Sequence, residues 1–337
     1  MMAHPGRLRR EETQEALSAA LVELLGAGAR LRSWNEHPLS EHGKHPLVRY
    51  ELRARAPGGG HDRRYDWVGK FYDRDVEARR EASVLRRLAP TDRDDRAGLV
   101  IPQAVSYVAA HRLLVMTYES GESIVSAIAH GKPAVLDAIG RALAALHALP
   151  ITRDAILSPA AALDDLRHRV PELGARIPGE AGVLRRALEG LERQVPAGAT
   201  PSAFLHGDLG PIHLLWNAGR VVVLDFEKSA RGDPALDLGY LLAQLRRVSL
   251  RKPGKLPEFG ALRGEILEAY RRWSPPDPGL PARVGWYEQA TLLRKLHYLA
   301  SDSTRRPQAE AIRQHRVEAL CLLDQLPRVL ELYAGPE

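Results

Sequence analysis

"FLHGDLGPIHLLWNAGRVVVLDFEKSARGDPALDLG", residues 204–239, is the stretch on which the reading of the whole chain turns. The apolar pair Phe204-Leu205 leads into His206-Gly207-Asp208, and a turn and a short apolar run follow. Asn217-Ala218-Gly219 then separates "HLLW" from "RVVVLDFE" as a hairpin turn does. This pattern puts Asp208 and Asp225 at the two ends of one hairpin-like unit, close enough to share a reaction centre. Aspartate beside Gly or Pro is commonly a cap or turn residue. Here His-Gly-Asp, a strand ending in Asp-Phe-Glu, and Gly-Asp-Pro-Ala-Leu-Asp follow in that order within 32 residues, His206 to Asp237. Turn chemistry alone requires no such order.

Two carboxylates so placed suit phosphoryl transfer. One accepts or orients an attacking hydroxyl, and the other holds the magnesium that bridges nucleotide phosphates. The loose transition state leaves little covalent work for the protein, so placed charge supplies the catalysis.

Outward from this segment, residues 11–26 have apolar side chains at helical spacing and stop at Gly26. "LVRYELRAR" (47–55) and "YDWVGKFY" (65–72) read as strands joined by the turn-rich "APGGGHDR". Residues 75–89 return to a helical period, with Val76, Val84, Leu85 and Leu88 on or near one face. "GLVIPQAVSYV" and "HRLLVMTYE" are two more strand-like pieces before Gly121, and a hinge is expected near 117–121. The rest reads mostly as helix, interrupted near residue 200 by a short β-like segment, with Pro- and Gly-rich loops at 171–182, 195–201 and 274–282. No repeat or extended low-complexity tract occurs.

The 337 residues favour two lobes over one small domain, and 45% apolar with 27% charged residues is ordinary for a soluble globular chain. The formal charge of +6 comes from 48 basic against 42 acidic residues, interspersed. Arg246, Arg247, Arg251, Lys252 and Lys255 form a basic cluster without interleaved aromatics, expected as a solvated face and not a nucleic-acid site. The single cysteine, Cys321, lies in an apolar run and reads as a small core residue in a reducing compartment. With neither a signal-peptide stretch nor a long apolar run, the expectation is a cytoplasmic protein with no membrane partner. No oligomeric state follows from these features.

Residues 204–239 resemble the catalytic segment of aminoglycoside phosphotransferases and choline-kinase-like enzymes. The resemblance implies an α+β, bilobal protein-kinase-like fold with a small β-rich N-lobe and a larger, mostly helical C-lobe. It places a nucleotide-binding lobe at 1–119 and a catalytic, acceptor-binding lobe at 120–337. It further implies Asp208 as catalytic base, Asp225 as the magnesium aspartate, and His206 and Asp237 as supports of the catalytic loop. ATP and magnesium are the implied cofactors. Such a fold needs a strand lysine to grip the α and β phosphates and a glutamate on the next helix to hold that lysine. Lys70 in "WVGKFY" and Glu81, eleven residues on, have the right order and element types. Glu77 competes with Glu81, which is preferred because it directly precedes the apolar stretch that packs inward. "LLVMTYESGES" resembles the hinge, with Met116 and Tyr118 beside the adenine and the backbone of Thr117 to Glu119 meeting its edge. The phosphate-covering turn falls somewhere in 34–46, where only Gly43 is present, and His37, His42 and His45 read as members of a mobile polar loop without a zinc pattern.

Only eleven residues separate Asp225 from Asp237, which leaves no room for a peptide-holding activation segment. A small hydroxyl-bearing acceptor is therefore the expected substrate. Because 241–273 is rich in Arg and Lys, a neutral or anionic acceptor such as a sugar or a phosphorylated or carboxylated metabolite is favoured over a cationic drug. The family's second magnesium ligand, an Asn five residues after the catalytic Asp, is here His213. That departure raises manganese as an alternative metal, and it supports a second reading as a nucleotide-binding pseudokinase acting as scaffold or sensor. A basic nucleic-acid-binding helical protein is a third.

Overall fold

A computed structural model describes residues 8–40, 44–89, 98–196, 202–302 and 318. Cys321, His42 and Gly43 lie outside the described residues. In chain order the elements are α1 (Arg10–Leu25), β1 (Arg30–Ser40), β2 (Leu47–Arg55), β3 (Arg63–Phe71), α2 (Asp75–Arg87), β4 (Leu99–Val100), β5 (Ala104–Val108) and β6 (Leu113–Thr117). Then come β7 (Glu122–Ser123), α3 (Ile124–Ala129), α4 (Val135–His147), β8 (Ile156–Leu157), α5 (Pro159–Arg176), α6 (Ala181–Arg193) and β9 (Ala203–Leu205). The chain continues through β10 (Leu214–Asn217), β11 (Arg220–Val223), β12 (Ala230–Gly232), α7 (Ala235–Arg251), α8 (Phe259–Trp273) and α9 (Leu280–Asp302). None of the described helices is long and apolar enough to cross a membrane.

Two compact units result. The first comprises Met1–Asp95, Val100–Gly121 and Val222–Glu227, and the second Arg96–Leu99, Glu122–Val221 and Lys228–Glu337.

The first unit holds an antiparallel five-stranded sheet of order β1-β2-β3-β6-β5. Strict alternation along β2 buries Val48, Tyr50, Leu52 and Ala54 on one face. They pack with Trp67 and Phe71 of β3, Leu113 and Val115 of β6, and Ala16, Leu17, Ala20 and Leu21 of α1. The 3–4 spacing of these α1 residues makes one inward stripe, and α1 ends at Gly26 with φ 95°. Since successive strand residues point to opposite faces, Lys70 and Met116 lie on the face away from that core, with Lys70 opposite Leu114 and Val68 opposite Met116.

Helix α2 buries Glu77, Ala78, Glu81, Ala82, Val84 and Leu85, whereas Val76, expected near that face, is 61% exposed. The inward stripe is set by Ala78, Glu81, Ala82 and Leu85, and Val76 falls outside it. Within 34–46, where the phosphate-covering turn is expected to fall, residues 34–40 belong to β1, whose register with β2 pairs Trp34 with Leu52 and His37 with Arg49. Of the described residues only 44–46 lie between the two strands.

The second unit is mainly helical. A three-stranded sheet, β8-β12-β9, and the β10–β7 pairing of a further sheet of order β4-β11-β10-β7 frame the segment after residue 202. Helix α4 buries Val135, Ala138, Ile139, Ala142, Leu143 and Leu146. Pro171, expected in a loop, lies inside α5, whose buried Leu163, Leu166, Val170 and Leu173 outweigh its missing N–H. Arg246, expected on a solvated face, is buried, with its Nε 3.2 Å from Glu288, whose other oxygen takes Arg263 at 3.1 Å. A fully buried glutamate requires such compensation.

Candidate active site

In the first unit, Lys70 leaves the polar face of β3 and is nearly enclosed. Its ammonium nitrogen is 2.8 Å from Glu81 Oε2 and 2.9 Å from Asp225 Oδ1, residues brought together from 11 and 155 positions away. Glu81 also accepts from the Tyr72 hydroxyl and, through Oε1, from Phe226 N–H at 3.2 Å. Burial alone would push the Lys70 ammonium down, but Glu81 and Asp225 outweigh it and hold the group above its ordinary value. Burial together with Glu81 raises the Tyr72 phenol, which stays a hydrogen-bond donor. Glu77 takes no part: it pairs with Arg74 and, at 3.4 Å, with Lys44.

Asp225 has φ 66°, a left-handed conformation that aspartate tolerates better than most residues and that recurs at functional sites. Glu227 follows two positions on. Its Oε1 is 2.5 Å from Lys44 Nζ and its Oε2 2.9 Å from His45 Nε2. His45, expected in a mobile polar loop, is therefore buried; its Nδ1 is 3.2 Å from the Phe71 carbonyl, and its ring lies 4.5 Å from Tyr72. Its hydrogen bond, ahead of the effect of burial, brings Glu227 down to about 2. Among the described residues, groups of metal-type donors within 4.8 Å of one another are His45, Glu77 and Glu227, and Glu81, Asp225 and Glu227.

At the expected hinge, Thr117 N–H donates to the Gln103 carbonyl and Tyr118 N–H to the Asp66 carbonyl, both at 2.9 Å. These two amides are thus committed to the sheet and are not the donors a base edge would meet. The Arg49 guanidinium lies 4.2 Å over the Tyr118 ring.

In the second unit, β9 delivers the loop His206-Gly207-Asp208. Asp237, at the start of α7 and fully buried, accepts His206 N–H at 2.7 Å and Gly207 N–H at 2.9 Å. His147 of α4 approaches the same carboxylate at 3.3 Å and the Tyr270 hydroxyl at 2.9 Å. Burial opposes ionisation of Asp237, but the His147 hydrogen bond and the loop amides keep it below the usual carboxylate range. Only glycine fits at 207: φ is 81°, and a Cβ would sit 2.3 Å from the Lys228 carbonyl.

Asp208 N–H donates to His206 Nδ1 at 3.2 Å, and Asp208 Oδ2 receives Lys228 Nζ at 2.5 Å. Burial would raise this carboxyl, yet hydrogen bonds from Lys228 and Tyr240 bring it to about 2, so Asp208 is an ionised, oriented acceptor at neutral pH. His213 Nδ1–H donates to the Asp208 carbonyl at 2.9 Å, and the His213 ring stacks on His206 at 5.4 Å. Asp208, His213, Lys228 and Tyr240 line a cleft of about 740 Å³, entirely within this unit.

Residues 58–253, more than half of the chain, match the phosphotransferase enzyme family (APH). The chain belongs to this family. Among solved structures, this family member is similar to a choline/ethanolamine kinase family protein from Mesorhizobium loti, with 20% identity over 96% of this chain and 99% of the other and a TM-score of 0.58. A thermostable mutant of aminoglycoside phosphotransferase APH(4)-Ia, in ternary complex with ADP and hygromycin B, gives 16% identity, 95% and 100% coverage and a TM-score of 0.61. Macrolide 2'-phosphotransferase MphH from Brachybacterium faecium gives 22%, 96% and 99%, and 0.52. Comparison with curated protein sequences finds no match. At such identities the structural likeness speaks for the fold, which is mixed α+β and protein-kinase-like.

Sequence reasoning did not single out Tyr72, His147, Lys228, Glu227 or Tyr240. Tyr72 sits two places from Lys70, the spacing that returns to one strand face, and this was the available signal. His147, 90 residues from Asp237, left none.

Proposed function

We propose that this phosphotransferase moves the γ-phosphate of ATP to a hydroxyl of a small molecule. The observation that supports the reading best is the Lys70 ammonium held between Glu81 and Asp225, a cation fixed and kept protonated where a nucleotide's phosphates need one. The nucleotide-binding lobe would be residues 1–119 and the catalytic lobe 120–337, with Met116 and Tyr118 beside the base.

Asp208, ionised and steadied by Lys228, accepts a hydrogen bond from the acceptor hydroxyl and aims its oxygen at the γ-phosphorus. A carboxylate this acidic is a weak base early in the reaction. It takes the proton late, once the new O–P bond has made the hydroxyl acidic, as a loose transition state allows. The Asp237 clamp on two loop amides fixes where Asp208 stands.

Asp225 offers a hard carboxylate oxygen of the kind magnesium takes. Glu81 and Glu227 stand within 4.8 Å of it, but their oxygens already accept from Lys70, Tyr72 and Phe226 and from Lys44 and His45, so Asp225 would be the residue that holds the metal. Magnesium, when bound, would neutralise nucleotide phosphate charge there. Manganese is kept as an alternative metal because His213 stands where the family carries Asn, and an imidazole nitrogen is a softer ligand than an amide oxygen. The deciding experiment is ADP release with a panel of acceptor alcohols. Magnesium-dependent ATP binding with no transfer to any of them would favour the pseudokinase reading instead.

A further inference from the structure

The cleft that contains Asp208 is strongly basic. Arg169 of α5, Lys228, Arg251 of α7, and Arg294 and Lys295 of α9 converge on it, and Asp208 is its acidic lining residue. Several of these charges are already matched: Arg169 Nε lies 2.7 Å from Asp165, Lys228 bonds Asp208, and Arg251 Nε lies 3.7 Å from Glu318. Arg294 and Lys295 have no carboxylate within ion-pair distance among the described residues. Instead both stand over one aromatic ring, Arg294 Cζ at 5.6 Å and Lys295 Nζ at 5.2 Å from the Tyr240 centroid. The Tyr240 hydroxyl in turn bonds Asp208. One tyrosine ring thus separates two cations, neither ion-paired among the described residues, from the carboxylate at which a hydroxyl would be deprotonated.

Arg294 is exposed at the mouth of the cleft and Lys295 is half-buried beside it. Like charges set this close repel, most strongly where one of them is partly desolvated, and an entering anion relieves both costs. Burial and the neighbouring Arg294, Arg247 and Lys228 lower Lys295 to about 8 despite the attraction of Asp208. It is therefore still charged at neutral pH and gains from a bound anion.

We propose that the acceptor carries an anionic group, a phosphate monoester or a carboxylate, a few bonds from the hydroxyl that is phosphorylated, and that Arg294 and Lys295 bind that group. This rests on the phosphotransferase reading above. In the reaction the acceptor oxygen forms a bond to the γ-phosphorus of ATP, and the bond from that phosphorus to the β,γ-bridging oxygen breaks. ADP leaves with the electron pair, and the hydroxyl proton passes to Asp208. The anionic group takes no part in bond changes; it sets the position of the hydroxyl.

Binding and turnover test this separately. Inorganic phosphate is titrated by calorimetry into wild-type protein, Arg294→Gln and Lys295→Gln, each saturated with a non-hydrolysable ATP analogue and magnesium. Phosphate binding weakened about 10-fold or more in each variant is expected, since charge-assisted hydrogen bonds are lost. No binding to wild-type protein, or equal binding in all three, overturns the proposal. In ADP-release assays, hydroxy compounds bearing phosphate or carboxylate should be used, and neutral polyols and cationic amino alcohols should not. The ratio of kcat/KM between the phosphate and carboxylate series names the group. In the variants KM for the anionic acceptor should rise about 10- to 100-fold, with a smaller change in kcat. A rise in KM for ATP alone would assign the cations to the nucleotide and overturn the proposal. Equal use of neutral or cationic acceptors would overturn it while leaving phosphoryl transfer intact. Variant-sensitive phosphate binding without any turnover would do the reverse.

Discussion

Removing Lys70 and Glu81 singly and together tests whether the two act as one unit. The Lys70 side chain is 6% exposed and that of Glu81 1%. Deleting one partner of a buried pair leaves an uncompensated charge and costs about 3–5 kcal/mol. Glu81→Ala leaves the ammonium with Asp225 at 2.9 Å, which retains part of the pairing, but strands the Tyr72 hydroxyl and the Phe226 N–H. Stranded buried donors cost about 1–3 kcal/mol each, and the hydroxyl can rotate away, so a loss of about 4 kcal/mol is expected. Lys70→Ala leaves Glu81 charged but still accepting those two donors, for a loss of about 3 kcal/mol. The double variant has neither buried charge, so its loss should fall short of the sum by about 2–3 kcal/mol. Urea unfolding of the four proteins, compared by midpoint and slope, reports this. ATP affinity measured on the same four proteins should show the same non-additivity. Losses that add within about 0.5 kcal/mol in both assays would refute the coupling.

Gly207→Ala should leave a folded protein with phosphoryl transfer reduced at least about 100-fold, because the new Cβ would meet the Lys228 carbonyl and displace Asp208; circular dichroism with steady-state kinetics checks it. His213→Asn should shift metal preference from manganese toward magnesium, because an amide oxygen is a harder ligand than an imidazole nitrogen; steady-state kinetics in each metal checks it. Identical metal profiles would leave His213 as a brace on the Asp208 carbonyl. Because Lys295 loses its proton near pH 8, KM for an anionic acceptor should climb as pH rises through about 8, and Lys295→Arg should move that climb to higher pH.

The segment around Asp208 announced itself because its chemistry is local: a hairpin, two aspartates and a glycine that alone fits its backbone. Lys70 and Glu81 were legible for a related reason, since a strand face and the next helix fix their separation. Glu77 and Glu81, one turn apart on α2, are both buried, and what separates them is the partner each reaches, Lys44 and Arg74 for Glu77 and Lys70 for Glu81. The apolar stretch after Glu81 was the signal for preferring it. His45 was misread because its partner Glu227 is 182 residues away, and a histidine in a polar run has no local mark of burial. Arg246 failed likewise, its charge being matched by Glu288 on another helix. Pro171 shows local propensity overridden by an apolar stripe. The basic cleft joins α5, α7 and α9, and Arg294 and Lys295 of α9 lie beyond the Arg- and Lys-rich 241–273 stretch, so proximity in sequence did not connect them to it.

Asp208→Asn tests the central claim most directly. The amide keeps the shape and can still be held by the loop, but it can neither take the proton nor carry the charge that orients the hydroxyl. Phosphoryl transfer to the acceptor should fall about 100- to 10,000-fold, while magnesium-dependent ATP affinity, measured by calorimetry on the same preparation, stays within about threefold because Lys70, Glu81 and Asp225 are untouched. Turnover at the wild-type rate in that variant would contradict the assignment of Asp208, and with it the account of this site.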